Sequence, residues 1–275
     1  MPTGPGDAPL RPLHLAGGQA SINQRNLRRD GLAGWQAATT AALLTAWDLT
    51  SPGGTFFDVG ANAGVYAPLC RLLHPSMEVV AFEPSPTTVE AGQQWARAND
   101  VEVRFERVAL SDVAGRGTLY LSSRSDASNS LVAGFREPSG TVDVELLTMD
   151  AFVRREGLAP SVVKIDVEQH EPAVLRGARS TLAEHRPVIV MELLGSESSR
   201  RAHRRLRRLD YEPVALGDRD HLYWPGGLPT GWTERFAGWS DAIGRCVPPG
   251  RRPLRSEVAT GSRHDAAPRK PDDPS

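Results

Sequence analysis

Residues 56–69 read FFDVGANAGVYAPL. Two phenylalanines run into Asp58, a turn with glycines at 60 and 64 follows, and apolar residues then recur at helical spacing. This is the pattern of a buried strand that hands its chain to a helix. Gly60 and Gly64 can take positive φ and let a ligand approach the main chain. The helix start beyond them offers unpaired N–H groups and a partial positive charge.

Outward from this turn, strands and helices alternate. GLAGWQAATTAALLTAWDL (31–49) precedes it and reads as a helix. VYAPLCRLLHP (65–75) reads as a helix stopped by Pro75, MEVVAFEP (77–84) as a second strand, and VEVRFERVAL (101–110) as a third. Between the last two, SPTTVEAGQQWARAND (85–100) fits a helix with Ser85 as cap and Pro86 at the first helical position. GTLYLSS and TVDVELLTM alternate with period two around a polar loop and predict an antiparallel pair. VVKIDV is a central strand, EPAVLRGARSTLAEH a helix and PVIVMEL a further strand. An arginine-rich helix follows, and YEPVAL with HLYW closes the sheet as a hairpin. Such repeats predict a mostly parallel sheet with helices on both faces and an antiparallel end. Ligands of such sheets bind outside the carboxyl ends of the strands.

The glycine spacing, G-x-x-x-G, differs from the dinucleotide fingerprint, and no G-K-[ST] follows as in a phosphate loop. A pyrophosphate is therefore disfavoured, and a ligand with a carboxylate and no phosphate fits better. Glu83 stands 19 residues after Gly64, at the end of the second strand. An acid there is placed to accept both hydroxyls of a ribose. A glycine turn plus a ribose acid, without a phosphate signature, points to an adenosine ligand such as S-adenosylmethionine. ALSD (109–112), after the third strand, is positioned to frame the adenine or to form a simple turn.

FFDVGANAGVYA, AFEPSP, VALSD, SNSL, VVKIDVEQHEPAVLRGA and PVIVMEL occur in an order and spacing that resemble the FkbM-type methyltransferases, over roughly residues 35 to 225. The most specific pieces are D-V-G-A-N-x-G and K-I-D-V-E-x-x-E. The resemblance implies a class I Rossmann-like fold with a seven-stranded sheet and a small β-hairpin insertion. It also implies S-adenosylmethionine as cofactor and a hydroxyl of a small natural product or sugar as acceptor. Residue reading and resemblance together put the cofactor wall at Asp58, Gly60, Ala61, Asn62, Gly64 and Tyr66 on the first strand end. Glu83, Pro84 and Ser85 continue it on the second, Ala109, Ser111 and Asp112 on the third, and Asp166 on the fourth. The loop DASNSL (126–131) would lie over the cofactor. One position departs from the family pattern: Gln169 stands where the family usually has glycine. A Cβ disfavours positive φ, so either the loop differs or Gln169 points into the pocket.

Methyl transfer needs alignment and a nucleophile freed of its proton. KIDVEQHE offers Asp166, Glu168, His170 and Glu171 within six positions. We expect Asp166 near the cofactor or acceptor, with His170 or Glu168 as base. Glu171, just before Pro172, reads as a first-turn acid favouring the helix dipole. Lys164 is expected to pair with an acid. Asp166, Glu168 and Glu192 could hold Mg²⁺ through oxygen ligands, but no metal is favoured.

The remaining composition narrows the class. The chain has 275 residues and a net charge of −1, which gives no sign of a nucleic-acid partner for the whole chain. Of its 32 basic residues only Lys164 and Lys270 are lysines, so 30 are arginine. Six of these fall between Arg200 and Arg208 and read as a solvated face, or as a dock for an anionic substrate or carrier protein. RNA methylation would want aromatic residues interleaved with that basic face, and the stretch has none. A non-catalytic cofactor-binding module is the other alternative, and the intact acid cluster argues against it. Cys70 and Cys246 lack metal-ligand spacing and suit a reducing cytoplasm. No signal peptide or membrane span is expected. Residues 1–20 read as a flexible leader, 21–247 as the folded domain and 248–275 as a disordered tail.

Overall fold

The computed structural model describes residues 21–50 and 52–245. The expected leader and tail lie outside the described residues, as does Cys246. The chain opens with α1 (Ile22–Gly34) and α2 (Ala37–Leu49), then β1 (Thr55–Val59), α3 (Tyr66–Leu73), β2 (Glu78–Phe82) and α4 (Pro86–Ala98). Three short or peripheral strands follow: β3 (Arg104–Glu106), β4 (Ala109–Leu110) and β5 (Gly115–Ser122). β6 (Pro138–Leu147), α5 (Met149–Glu156), β7 (Pro160–Ile165), α6 (Glu171–Arg176) and α7 (Arg179–Glu184) come next. The described residues end with β8 (Val188–Glu192), α8 (Glu197–Arg207), β9 (Tyr211–Ala215), β10 (Asp220–Pro225) and α9 (Trp232–Arg245).

Seven strands form the main sheet in the order β3-β2-β1-β7-β8-β10-β9. β10 alone runs antiparallel to both its neighbours, and the other pairings are parallel. The order reverses between β1 and β7, which is the switch point where a ligand crevice opens. β4, β6 and β5 form a separate three-stranded sheet, so the expected hairpin insertion is present with an added short strand. All five residues of β1 are buried, as expected for a strand covered on both faces. Alternate residues feed opposite layers. Phe56, Val79, Val162 and Val190 join the cluster under α1, α2, α3 and α9. Phe57, Val80, Val163 and Met191 join the cluster under α5, α6, α7 and α8.

Four elements differ from the sequence reading. The predicted helix over 31–49 is two helices, broken at Gln36, whose φ of 46° is left-handed. The third strand is split: residues 104–106 pair with β2, whereas 109–110 leave the main sheet to pair with β6. The helix predicted over 171–185 breaks at Gly177, where any Cβ would collide with the Ser111 carbonyl. It restarts as α7 under a cap from Asp150, which accepts from the N–H groups of Ser180 and Thr181. α9 was not anticipated, although Trp232, Phe236, Trp239 and Ile243 show helical spacing. Asp48 of α2 accepts from Trp239 Nε1 (2.8 Å) and Arg235 (3.0 Å) and ties α9 down.

Candidate active site

The cleft opens along the carboxyl ends of β2, β1, β7 and β8. Gly60 turns the chain out of β1 with φ of 75°. Only glycine fits, because a Cβ there would strike the carbonyl of Asp166 at the end of β7. The N–H groups of Gly60 and Ala61 both donate to the Phe82 carbonyl, binding the turn to β2. Glu83 follows Phe82 and is 7 % exposed. One of its carboxylate oxygens accepts from the Asn62 N–H and the other from the Ser85 N–H, each at 2.9 Å. A carboxylate has about four acceptor sites, so two remain free. Burial pushes Glu83 up to about 7, the two amides pull it down, and Asp58 and Asp126 add to the rise.

Of the residues singled out in the sequence, Gly60, Ala61, Asn62, Tyr66, Glu83, Pro84, Ala109, Asp166, Glu168 and His170 line one cleft. Five predicted residues stand behind its wall instead. Asp58 is 1 % exposed, inside the sheet, and no close hydrogen bond reaches either carboxylate oxygen, the Ala67 N–H exerting only a weak pull. Burial pushes it up to about 6; Lys164 pulls it down and Asp166 pushes it up. Gly64 packs toward the Phe105 ring. Ser85 holds Glu83. Ser111 and Asp112 turn toward His170 and Arg176. A turn pattern shows which residues cluster at a strand end, but not which of them face the cleft.

Lys164 and Asp166 share a face of β7 and form the expected pair, Nζ to Oδ2 at 3.1 Å. Burial alone would lower the lysine, but Asp166, Asp58 and Asp220 outweigh it and hold the ammonium up. Glu192 ends β8 and lines the same cleft. Oxygens of Asp166, Glu168 and Glu192 lie within 4.8 Å of one another. That crowding has a direct electrostatic result. Burial and then the Asp166 carboxylate hold Glu192 well above the usual carboxylate range. Burial, then Asp166, pushes Glu168 up to about 7, against the pull of Arg136. Protons thus relieve the repulsion near neutral pH.

The turn after β7 keeps the conformation a glycine would take. Glu168 has φ of 50° and Gln169 φ of 75°. Gln169 is absent from the cleft wall. Its N–H donates to Glu171 Oε1 (3.0 Å), and its carbonyl accepts from Ser198 Oγ (2.9 Å). Gln169 therefore holds a backbone conformation that favours glycine, at a strain of roughly 1–2 kcal/mol per such residue. Glu171 does open α6, but its buried side chain folds back onto this turn.

His170 Nε2 lies 3.0 Å from Ser111 Oγ. The Ser111 hydroxyl donates to Asp112 Oδ1 at 3.2 Å. Its single proton being used there, Ser111 accepts from an Nε2–H, which leaves Nδ1 with a free lone pair. Burial lowers the His170 pKa; Asp112 raises it and Arg176 lowers it further. The ring is neutral at neutral pH, in the state a base requires.

Part of the remaining wall, from the α1–α2 segment, was not legible in the sequence, whereas the loop 126–131 lines the cleft. Asn23, Trp35 and Gln36 come from the α1–α2 segment, and residues 126–131 lie across the opening. Asp126 is tied in place: its side chain accepts from the Ile22 N–H and its carbonyl from Asn62 Nδ2, each at 3.1 Å. Ser130 Oγ donates to the Glu168 carbonyl. On α8, Glu197 pairs with Arg200, Arg201 and Arg204 on an exposed face, so part of its charge is internally balanced. Among the described residues no helix is long and apolar enough to cross a membrane.

A seven-stranded sheet of this order, with its cleft at the β1–β7 switch point and an acid closing β2, defines a class I Rossmann-like methyltransferase. The methyltransferase FkbM domain matches residues 58–213, and the chain belongs to that family. It is 28 % identical over 155 residues to the 31-O-demethyl-FK506 methyltransferase FkbM of Streptomyces tacrolimicus, covering 46 % of this chain and 60 % of that one. It is 31 % identical over 135 residues to the hexuronic acid methyltransferase AglP of Haloferax volcanii, covering 49 % of this chain and 54 % of that protein. The match thus spans little more than half the length of these relatives. A solved FkbM methyltransferase from Methylobacillus flagellatus overlays with a TM-score of 0.47 at 16 % identity, over 64 % of this chain and 45 % of its own.

Proposed function

We propose that the protein is an S-adenosylmethionine-dependent O-methyltransferase acting on a hydroxyl of a small natural product or sugar. One observation carries the cofactor: Glu83 is fixed by two amides and faces the cleft with acceptor sites to spare. A ribose presents two hydroxyl donors to such a carboxylate. The residues fit the cofactor's charge as well. Asp58, just behind the glycine turn, together with Asp166 and Asp220 outnumbers the single ammonium of Lys164, a balance that favours a cationic ligand.

When bound, the cofactor supplies an activated methyl group. This chain's residues position the acceptor and take its proton. His170 holds a free Nδ1, oriented through Ser111 and Asp112. Asp166, steadied by Lys164, accepts a hydrogen bond from the acceptor hydroxyl, and Glu168 and Glu192 complete the polar floor. The relatives named for FK506 and hexuronic acid support an oxygen acceptor on a small molecule. Calorimetry with S-adenosylhomocysteine on wild type and Glu83→Ala tests the assignment. A loss of tenfold or more is expected; equal affinity removes Glu83 from the ribose site.

A further inference from the structure

One corner of the cleft holds side chains, Trp35, Gln36 and Tyr66, that this mechanism does not use. They line it with Lys164, where the α1–α2 junction meets the start of α3. Tyr66 is 3 % exposed and donates its hydroxyl to Gln36 Oε1 at 2.7 Å. The Trp35 ring stacks on Tyr66 with centroids 5.4 Å apart. Lys164 Nζ lies 5.3 Å from the same ring centroid. Gln36 itself is held in the left-handed region, φ 46° and ψ 43°, with its carbonyl accepting the Thr40 N–H that opens α2. The junction thus fixes an amide side chain at some conformational cost.

The chemistry of that amide is specific. Its oxygen is occupied by Tyr66, so its polarity is set, and the Nε2 group is left with two N–H donors. No contact among the described residues engages them. A donor held this way recognises an acceptor on a ligand, and adds no charge to a corner already holding Lys164 beside Asp166 and Asp58. Position along the sheet says which acceptor. Glu83 closes β2, the glycine turn leaves β1, and Lys164 and Asp166 end β7, in that spatial order. With its ribose at Glu83, the cofactor has its amino-acid end left to meet the β1–β7 side.

We propose that Gln36, oriented by the Tyr66 hydroxyl, donates to the carboxylate of the cofactor's amino-acid end. This rests on the cofactor assignment above. The test is calorimetry on the full chain with two ligands: S-adenosylhomocysteine and its decarboxylated analogue, which keeps the adenosine, sulfur and amine. Gln36→Gly is the variant of choice, since glycine accepts the left-handed backbone and so offsets part of the cost of leaving the Tyr66 hydroxyl without its acceptor; ligand-free melting temperatures are measured alongside. The variant is expected to lose about tenfold or more in affinity for S-adenosylhomocysteine and nothing for the analogue. Tyr66→Phe, which frees the amide to rotate, should show a smaller loss confined to the same ligand. An equal loss for both ligands, or no loss for either, overturns the assignment of Gln36 while leaving the cofactor in place. Failure of wild type to bind either ligand overturns both.

Discussion

Asp58→Asn should make the ligand-free protein more stable at alkaline pH and a poorer cofactor binder. Asp58 is 1 % exposed and its carboxylate receives no close hydrogen bond. Burial, countered by Lys164, leaves its folded pKa at about 6, against 3.8 for an unperturbed aspartate. The folded value is the higher one, so the folded state prefers the protonated acid. That contribution is fully present below about pH 3.8 and is lost as pH rises through about 6. A shift of about two units corresponds to about 3 kcal/mol by pH 8. Asparagine escapes this loss but must bury an amide, which takes back about 1 kcal/mol. The variant's stability relative to wild type should therefore swing by about 2–3 kcal/mol between pH 4 and pH 8. In a domain of this size that is a relative melting-temperature change of about 5–10 °C. The assay is thermal or urea unfolding at both pH values, with and without S-adenosylmethionine, whose sulfonium carries the positive charge. The rise in melting temperature given by the ligand should shrink in the variant. A variant equally destabilised at pH 4 and pH 8 would refute the reasoning, since a pH-independent loss is one of packing.

Three other outcomes are expected. The activity profile should fall on the acid side below about pH 6.5, because burial lowers His170 from that value and only the neutral ring takes a proton; His170→Ala should abolish that limb, and an unchanged profile would assign the base elsewhere. Gln169→Gly should stabilise the protein by about 1 kcal/mol, by relieving a φ of 75° that glycine adopts freely; a lower melting temperature would mean that the side chain has a packing role. Exhaustive EDTA treatment should leave turnover and S-adenosylhomocysteine affinity unchanged; a loss restored by Mg²⁺ would make Asp166, Glu168 and Glu192 ligands.

What the sequence determined by itself was local and periodic. The run FFDVGANAGVYAPL carried the strand, the turn and the helix, because each is set by near neighbours: alternation of burial, glycine at positive φ, helical spacing. Glu83 was legible for the same reason, since a strand end at a fixed distance puts one acid beside one turn. The tertiary structure decided what those residues face. Asp58 and Glu83 are both acids at strand ends, yet one lies inside the sheet and the other opens into the cleft. Chain spacing cannot separate them, because exposure depends on which strand lies alongside and what covers the layer. Gln36 is 30 positions from Tyr66, and Ser111 is 59 from His170. Neither pair exists until the helices dock. The Gln169 turn also needed the fold: packing against Glu171 and Ser198 holds a backbone shape that its own side chain disfavours. Short-range chemistry chose the elements, and long-range packing chose the polar groups presented to the cleft.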